Sequence, residues 1–254
     1  MYRYILILLL VMATGVAQAQ ARIAVASNFE STAQKIAERF FDETEDRVTL
    51  VAGSTGNLAQ QIRQGTGFDA FLAADRSHVE DLIDGGIARE DSAFVYGIGR
   101  LVLLADEPEN DEGHGPEEML REESYRALSL PDYQDSPYGR ATVDVLDEVH
   151  GSRFGVRRTV DANTVAQSIQ FMRSGSVDLG FVALSHVREQ EIDEARWWLI
   201  PQELYEPLEQ MAVMLEDGSE TAQAFLDFLR NDEGAREIIR DAGYTLPDDD
   251  ADDE

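Results

Sequence analysis

Four stretches of the chain place hydroxyl or amide side chains just before segments with helical spacing. Ser27 ends "RIAVAS". Ser54 and Thr55 sit inside "VAGSTGNLAQQI". Ser136 opens "SPYGRA". Asn163 and Thr164 stand in "DANTVAQSIQ". A helix N-terminus carries backbone N–H groups without intrahelical partners and a partial positive charge. Ser, Thr and Asn can cap those groups, or join them in holding an anion. One junction alone reads as a cap. Four of them say more, because strand C-terminal ends in an open α/β sheet converge on one crevice. An oxyanion held there by neutral dipoles needs neither Lys nor Arg, and no carboxylate should touch it. The junctions hold acids only at Glu30 and Asp161.

Other chemistries lack their residues. Ser27, Ser54 and Ser136 stand in no G-x-S-x-G elbow. "GSTGN" is not followed by the G-K-[ST] of a phosphate-binding loop. His78, His114, His150 and His186 show neither an i,i+4 partner nor H-E-x-x-H spacing, and each is expected to be a surface or capping residue. Asp69 and Asp75 bracket "DAFLAAD" and form a carboxylate pair on paper. The simpler expectation is that Asp75 caps the next helix and Asp69 starts the strand. Trp197 and Trp198 are expected to divide between core and surface rather than form a ligand platform. Arg157 and Arg158 are expected to pair with the abundant acids. No catalytic residue and no cofactor is assigned.

The elements that must position the four junctions alternate regularly. "ARIAVAS", "RVTLVAG" and "FDAFLAAD" read as strands. "ESTAQKIAERFFDET", "GNLAQQIRQG" and "SHVEDLIDGG" read as the helices between and after them, the last with Ser77 as N-cap. "VYGIGRLVLLA" reads as one long strand passing to a second lobe. There "RALSLPD", "GVRRTV", "VDLGFVAL" and "ARWWLIP" are strands, and "SPYGRATVDVLDEV" and "NTVAQSIQFMRSG" are helices. "QMAVMLED" returns to the first lobe, and two helices divided near Asn231–Gly234 close the chain. The pattern predicts an α/β fold of two lobes, each a mainly parallel sheet flanked by helices. A ligand cleft lies between them. Lobe 1 takes residues 20–100 and 208–246, and lobe 2 takes 101–207.

The chain has 254 residues, 43% of them hydrophobic, enough for such a core. "MYRYILILLLVMATGVAQAQ" has Arg3, a short apolar run and small residues at Ala17 and Ala19. This is the pattern of a secretory signal peptide, residues 1–19, cleaved after Ala19. The mature chain is expected in the periplasm. It has no cysteine, so disulfides, thiolate catalysis and lipid attachment through a cysteine are excluded. The net charge of −29 opposes binding to nucleic acid or acidic membranes. Acids spread along the whole chain fit a halophilic proteome, where salt screens them. The acidic tail, residues 247–254, is expected to be disordered.

The pieces "VASNF", "GSTGNLAQQI", "FDAFLAAD", "SPYGRA", "NTVAQSIQFM", "DLGFVALSHV" and "WWLIPQELYEPLEQMAVML" run in order through nearly all of the mature chain. In this the chain resembles the periplasmic molybdate-binding proteins of ABC importers. The resemblance implies the type II periplasmic-binding-protein fold, capture of molybdate and of tungstate with it, and delivery to a membrane permease by a monomer. It implies hydroxyl contacts from Ser27 and Thr55, and backbone contacts at Tyr138 and Val165. Ser54, Asn163 and Thr164 are additional candidates. Molybdenum would be held only as the oxyanion. Some members place a tyrosine where this chain has Ala183, and the Tyr138 hydroxyl is a candidate substitute. An acceptor-free site would refuse hydrogen phosphate, whose proton needs an acceptor, and cavity size would separate molybdate and tungstate from the smaller sulfate. A sulfate-type binder, an enzyme on the same fold and an exported sensor are the competing readings.

Overall fold

The structure is a computed structural model, described over residues 20–109, 113–151 and 158–248. The expected signal peptide, Arg157 and the acidic tail from Asp249 onward lie outside those residues.

Two five-stranded sheets form the frame. The first contains β1 (Ala21–Ala26), β2 (Val48–Gly53), β3 (Ala70–Ala73), β4 (Phe94–Gly99) and β10 (Leu208–Met214), in the order β2-β1-β3-β10-β4. The second contains β5 (Leu101–Ala105), β6 (Leu128–Pro131), β7 (Thr159–Ala162), β8 (Leu179–Ala183) and β9 (Trp197–Leu199), in the order β7-β6-β8-β5-β9. In each sheet three neighbouring strands are parallel and one strand is reversed: β10 in the first, β5 in the second. Both reversed strands arrive directly from the other lobe, so each enters its sheet from the opposite end. The single run expected over "VYGIGRLVLLA" is therefore two strands. They part at Arg100, one in each sheet.

Helices cover both faces. In the first lobe they are α1 (Glu30–Thr44), α2 (Thr55–Arg63), α3 (Ser77–Asp84), α8 (Glu220–Asn231) and α9 (Glu233–Asp241); in the second, α4 (Pro116–Arg121), α5 (Pro137–His150), α6 (Val165–Arg173) and α7 (Leu184–Glu189). Ala33, Ile36 and Phe40 lie three to four apart on α1 and bury one stripe against Phe225 of α8. Fully buried strands such as Ala70–Ala73 and Leu179–Ala183 are apolar on both faces, as a sheet covered on both sides demands. One hydrophobic cluster joins lobe 2 residues, Tyr138 among them, to Ala26 and Ala74 of lobe 1. Among the described residues, no helix is long and apolar enough to cross a membrane.

Four local expectations need correction. β7 is Thr159–Ala162, later than the "GVRRTV" assignment. It takes its register from the parallel pairing of Leu128–Pro131 with Thr159–Ala162. The residues after Ala183 turn at once into α7, because the strand end at Ala183 is a helix entry. Trp197 and Trp198 are both half-buried, on a strand at the edge of the second sheet. His186 is not a surface residue: α7 packs it against the first lobe, and it is buried.

Candidate functional site

The candidate residues sit where strands end. Ser27 follows β1 and its N–H donates to the Gly53 carbonyl at 2.9 Å, which ties the ends of β1 and β2 together. Its half-buried hydroxyl has no partner among the described residues. Ser54 and Thr55 follow β2 and open α2; both are buried. The Thr55 hydroxyl accepts from the Ala74 N–H at 3.2 Å. Accepting leaves its own proton unused, and no acceptor for it stands among the described residues. Ser54 does not cap α2; its hydroxyl accepts from the Asn57 side chain at 2.8 Å.

In lobe 2 the junctions are capped from within. The Ser136 hydroxyl accepts from Gly139 N–H at 3.3 Å, and Thr164 from Gln167 N–H at 3.1 Å. Pro137 occupies the first position of α5, where no N–H is needed. This leaves the N–H of Tyr138, and that of Val165 at the start of α6, without a protein acceptor among the described residues. The N–H groups of Thr55 and Asn28 are free in the same way. Asn163 is exposed, and its N–H is taken by the Gln167 side chain at 2.6 Å.

The lobes meet around these groups. Gly56 N–H, next to Thr55, donates to the Asp135 carbonyl of lobe 2 at 2.9 Å. The Ser185 hydroxyl of α7 donates to the Asn28 carbonyl at 2.8 Å, and the Tyr244 hydroxyl does so at 2.7 Å. The Asn28 side chain turns inward and donates to Gln210 Oε1 at 2.7 Å. The turn after β1 is thus fixed from both lobes, and its free Asn28 N–H stands beside Ser27. Sequence reasoning passed over Asn28, because the group it offers is a backbone N–H rather than a side chain.

The Tyr138 hydroxyl lies near the Asn28 side chain. It is buried without a hydrogen-bond partner, and a Cβ on Gly99 would collide with it. It lies at the strand crossing, near Gln210. Burial holds its pKa well above the ordinary tyrosine value. The position of Ala183, where the substitute was sought, is fully buried.

Charge near the site is neutralised. Asp75, which follows β3, is engaged by His78 at 2.9 Å and by Arg140 of α5. It also caps α3, accepting from His78 N–H at 3.1 Å, in place of Ser77. Burial pushes the Asp75 carboxyl up, but the His78 hydrogen bonds and the Arg140 charge outweigh it and hold the group below its usual value. Asp69 accepts from the N–H groups of Arg22 and Ser219 and serves the strand start. Burial lowers the His186 pKa, against the nearby Glu189 charge and a hydrogen bond to the Ser27 backbone, so the ring is neutral. Among the described residues no group of His, Asp and Glu is arranged to hold a metal ion. Free N–H groups and hydroxyl protons at opposed strand ends can bind a small anion that only accepts hydrogen bonds.

Known proteins share the two-lobed fold. A family model described as bacterial extracellular solute-binding protein matches residues 21–245. The chain is 35% identical over 231 residues to molybdate-binding protein ModA of Azotobacter vinelandii, covering 90% of each. It is 34% identical over 241 residues to molybdate-binding protein ModA of Rhodobacter capsulatus, covering 94% of this chain and 93% of that one. The solved periplasmic molybdate-binding protein of Azotobacter vinelandii superposes with a TM-score of 0.79 at 32% identity, over 90% of this chain and 100% of that one. The sulfate-binding protein SubI of Mycobacterium tuberculosis shares the fold, with a TM-score of 0.71 at 12% identity. These are binding proteins rather than enzymes. With its whole two-lobed body matched, the chain belongs to the bacterial extracellular solute-binding protein family.

Proposed function

We propose that the protein captures molybdate, and tungstate with it, between its two lobes and delivers the oxyanion to the permease of an ABC importer. The observation that carries this reading is the set of unpartnered neutral donors: the Ser27 hydroxyl, the Thr55 hydroxyl proton, and the N–H groups of Asn28, Thr55, Tyr138 and Val165. A dianion without protons can accept from all of them. The names of the relatives at 34–35% identity supply the identity of the oxyanion. A sulfate-type reading has less support, because the sulfate-binding neighbour is only 12% identical.

The N-terminal sequence supports export, with cleavage after Ala19 and a periplasmic mature protein. The hydrogen bonds set the scale of affinity. About five to eight charge-assisted bonds, each worth about 1.5–3 kcal/mol net, can support submicromolar binding after the cost of closing the lobes. The test is calorimetric titration of the mature protein with molybdate, tungstate, sulfate and phosphate. Submicromolar binding of the first two, with weak or no heat from the others, supports the reading. Tight binding of sulfate instead, or no heat from any oxyanion, overturns it.

A further inference from the structure

We propose that Asp75 and Arg140 form an electrostatic clasp between the lobes, positioning residues that prolong ligand residence without touching the ligand; this rests on the binding-protein reading above. Asp75 follows β3 in lobe 1, and Arg140 lies in the first turns of α5 in lobe 2. Their contact therefore spans the two bodies that a hinge motion separates. The Asp75 side chain is only 14% exposed, while Arg140 is 40% exposed. The carboxylate is pre-positioned within its own lobe: His78 N–H holds one oxygen at 3.1 Å, and the His78 ring lies 2.9 Å from both oxygens. Little ordering of Asp75 remains to be done when Arg140 arrives, so the ion pair loses less to side-chain entropy than an ordinary surface pair.

A second inter-lobe contact lies on the same elements. Gly56 at the start of α2 donates to Asp135, just before α5. A Cβ on Gly56 would meet Asp135 Oδ1 at 2.9 Å and its Cα at 3.0 Å. The approach is tight: the Asp135 carboxylate could swing aside, but its backbone Cα would have to give way for any side chain larger than glycine's. Both contacts flank ligand-candidate residues: Thr55 precedes Gly56, Ala74 bonded to Thr55 precedes Asp75, and Tyr138 precedes Arg140 by two. Rotation of one lobe must break them, and a bound anion must wait for that before it leaves. The clasp then acts on the dissociation rate. In the ligand-free protein it also holds part of the population closed, which slows association by no more than about twofold.

The test is stopped-flow dissociation and association of molybdate for wild type, R140Q, R140K and the double variant D75N/R140Q. R140Q should raise the dissociation rate about fivefold, the size expected of a partly buried ion pair, with the association rate within about twofold. R140K should retain part of the effect. Added NaCl should speed dissociation from wild type but have little effect on R140Q. The double variant D75N/R140Q separates the clasp from simple repulsion of the anion by an unpaired Asp75. If it dissociates as fast as R140Q, the clasp stands. If it recovers wild-type behaviour, or if R140Q leaves dissociation unchanged, the clasp is wrong. Small-angle scattering of the ligand-free protein gives an independent arm: R140Q should be more expanded than wild type, and equal radii of gyration would count against the clasp. A wild-type protein that binds no oxyanion would overturn the function proposed above instead, leaving the scattering comparison to judge the clasp.

Discussion

Ser27 and Thr55 have the same proposed role but different local duties, and this separates their variants. The Ser27 hydroxyl has no protein partner among the described residues, so S27A should leave folding stability within about 0.5 kcal/mol of wild type. The Thr55 hydroxyl accepts from Ala74 N–H, and T55A leaves that buried donor unpaired at a cost of about 1–3 kcal/mol. Both should weaken molybdate binding about tenfold or more. Urea melts and calorimetry on the two variants check the contrast; two variants that bind like wild type would displace the proposed ligand shell. His186 gives a pH signature. Its folded pKa is depressed by burial, so the unfolded chain takes up the proton first. Stability is therefore full above the ordinary histidine value of about 6.5 and falls as pH drops below it. Thermal melts between about pH 7 and 5 should show this loss in wild type and a flatter profile in H186Q. The serines and threonine were legible because they end apolar strands. Asn28 was not, since its free group is a backbone N–H that nearly every residue type carries. The direction of the Tyr138 hydroxyl was hidden for another reason: it depends on Gly99, which adjoins it only through the fold.

Periodicity carries far at the scale of elements. Residues 30–44 read as a helix and are one, and the expected break between the last two helices falls at Asp232. That residue accepts from Ala235 N–H at 2.8 Å and pairs with Arg39 at 2.7 Å. The Arg39 hydrogen bond holds its carboxyl below the usual aspartate value, so its contribution is present at neutral pH and is lost on acidification through that lowered range. D232A should lower stability by about 1 kcal/mol through the lost cap, read as a lower urea midpoint with an unchanged slope. What periodicity missed has tertiary causes. α7 spans only Leu184–Glu189, too short to show a helical repeat. Nor does the apolar run through Arg100 reveal a change of sheet. That division becomes visible only when the partners of β4 and β5 are known.

For the whole molecule, charge is the largest influence outside the cleft. At −29 the folded chain repels itself. Salt screens that repulsion over about 8 Å at physiological strength and about 3 Å at 1 M. The melting temperature should therefore rise between low salt and 1 M NaCl; a flat or falling trend would remove the high-salt interpretation of the composition. Two lobes were legible from the repeated β/α alternation. Their mutual arrangement was not, because it rests on contacts such as Ser185 with Asn28 and Gly56 with Asp135, which no local pattern encodes. Enclosure of an oxyanion by neutral donors from both lobes is tested without intermediaries by the molybdenum anomalous signal from crystals of the molybdate complex. One peak is expected between the two sheets, within hydrogen-bonding reach of Ser27, Thr55, Tyr138 N and Val165 N through the oxyanion oxygens. A peak ligated by lysine or arginine, or one located outside the cleft, would contradict that enclosure.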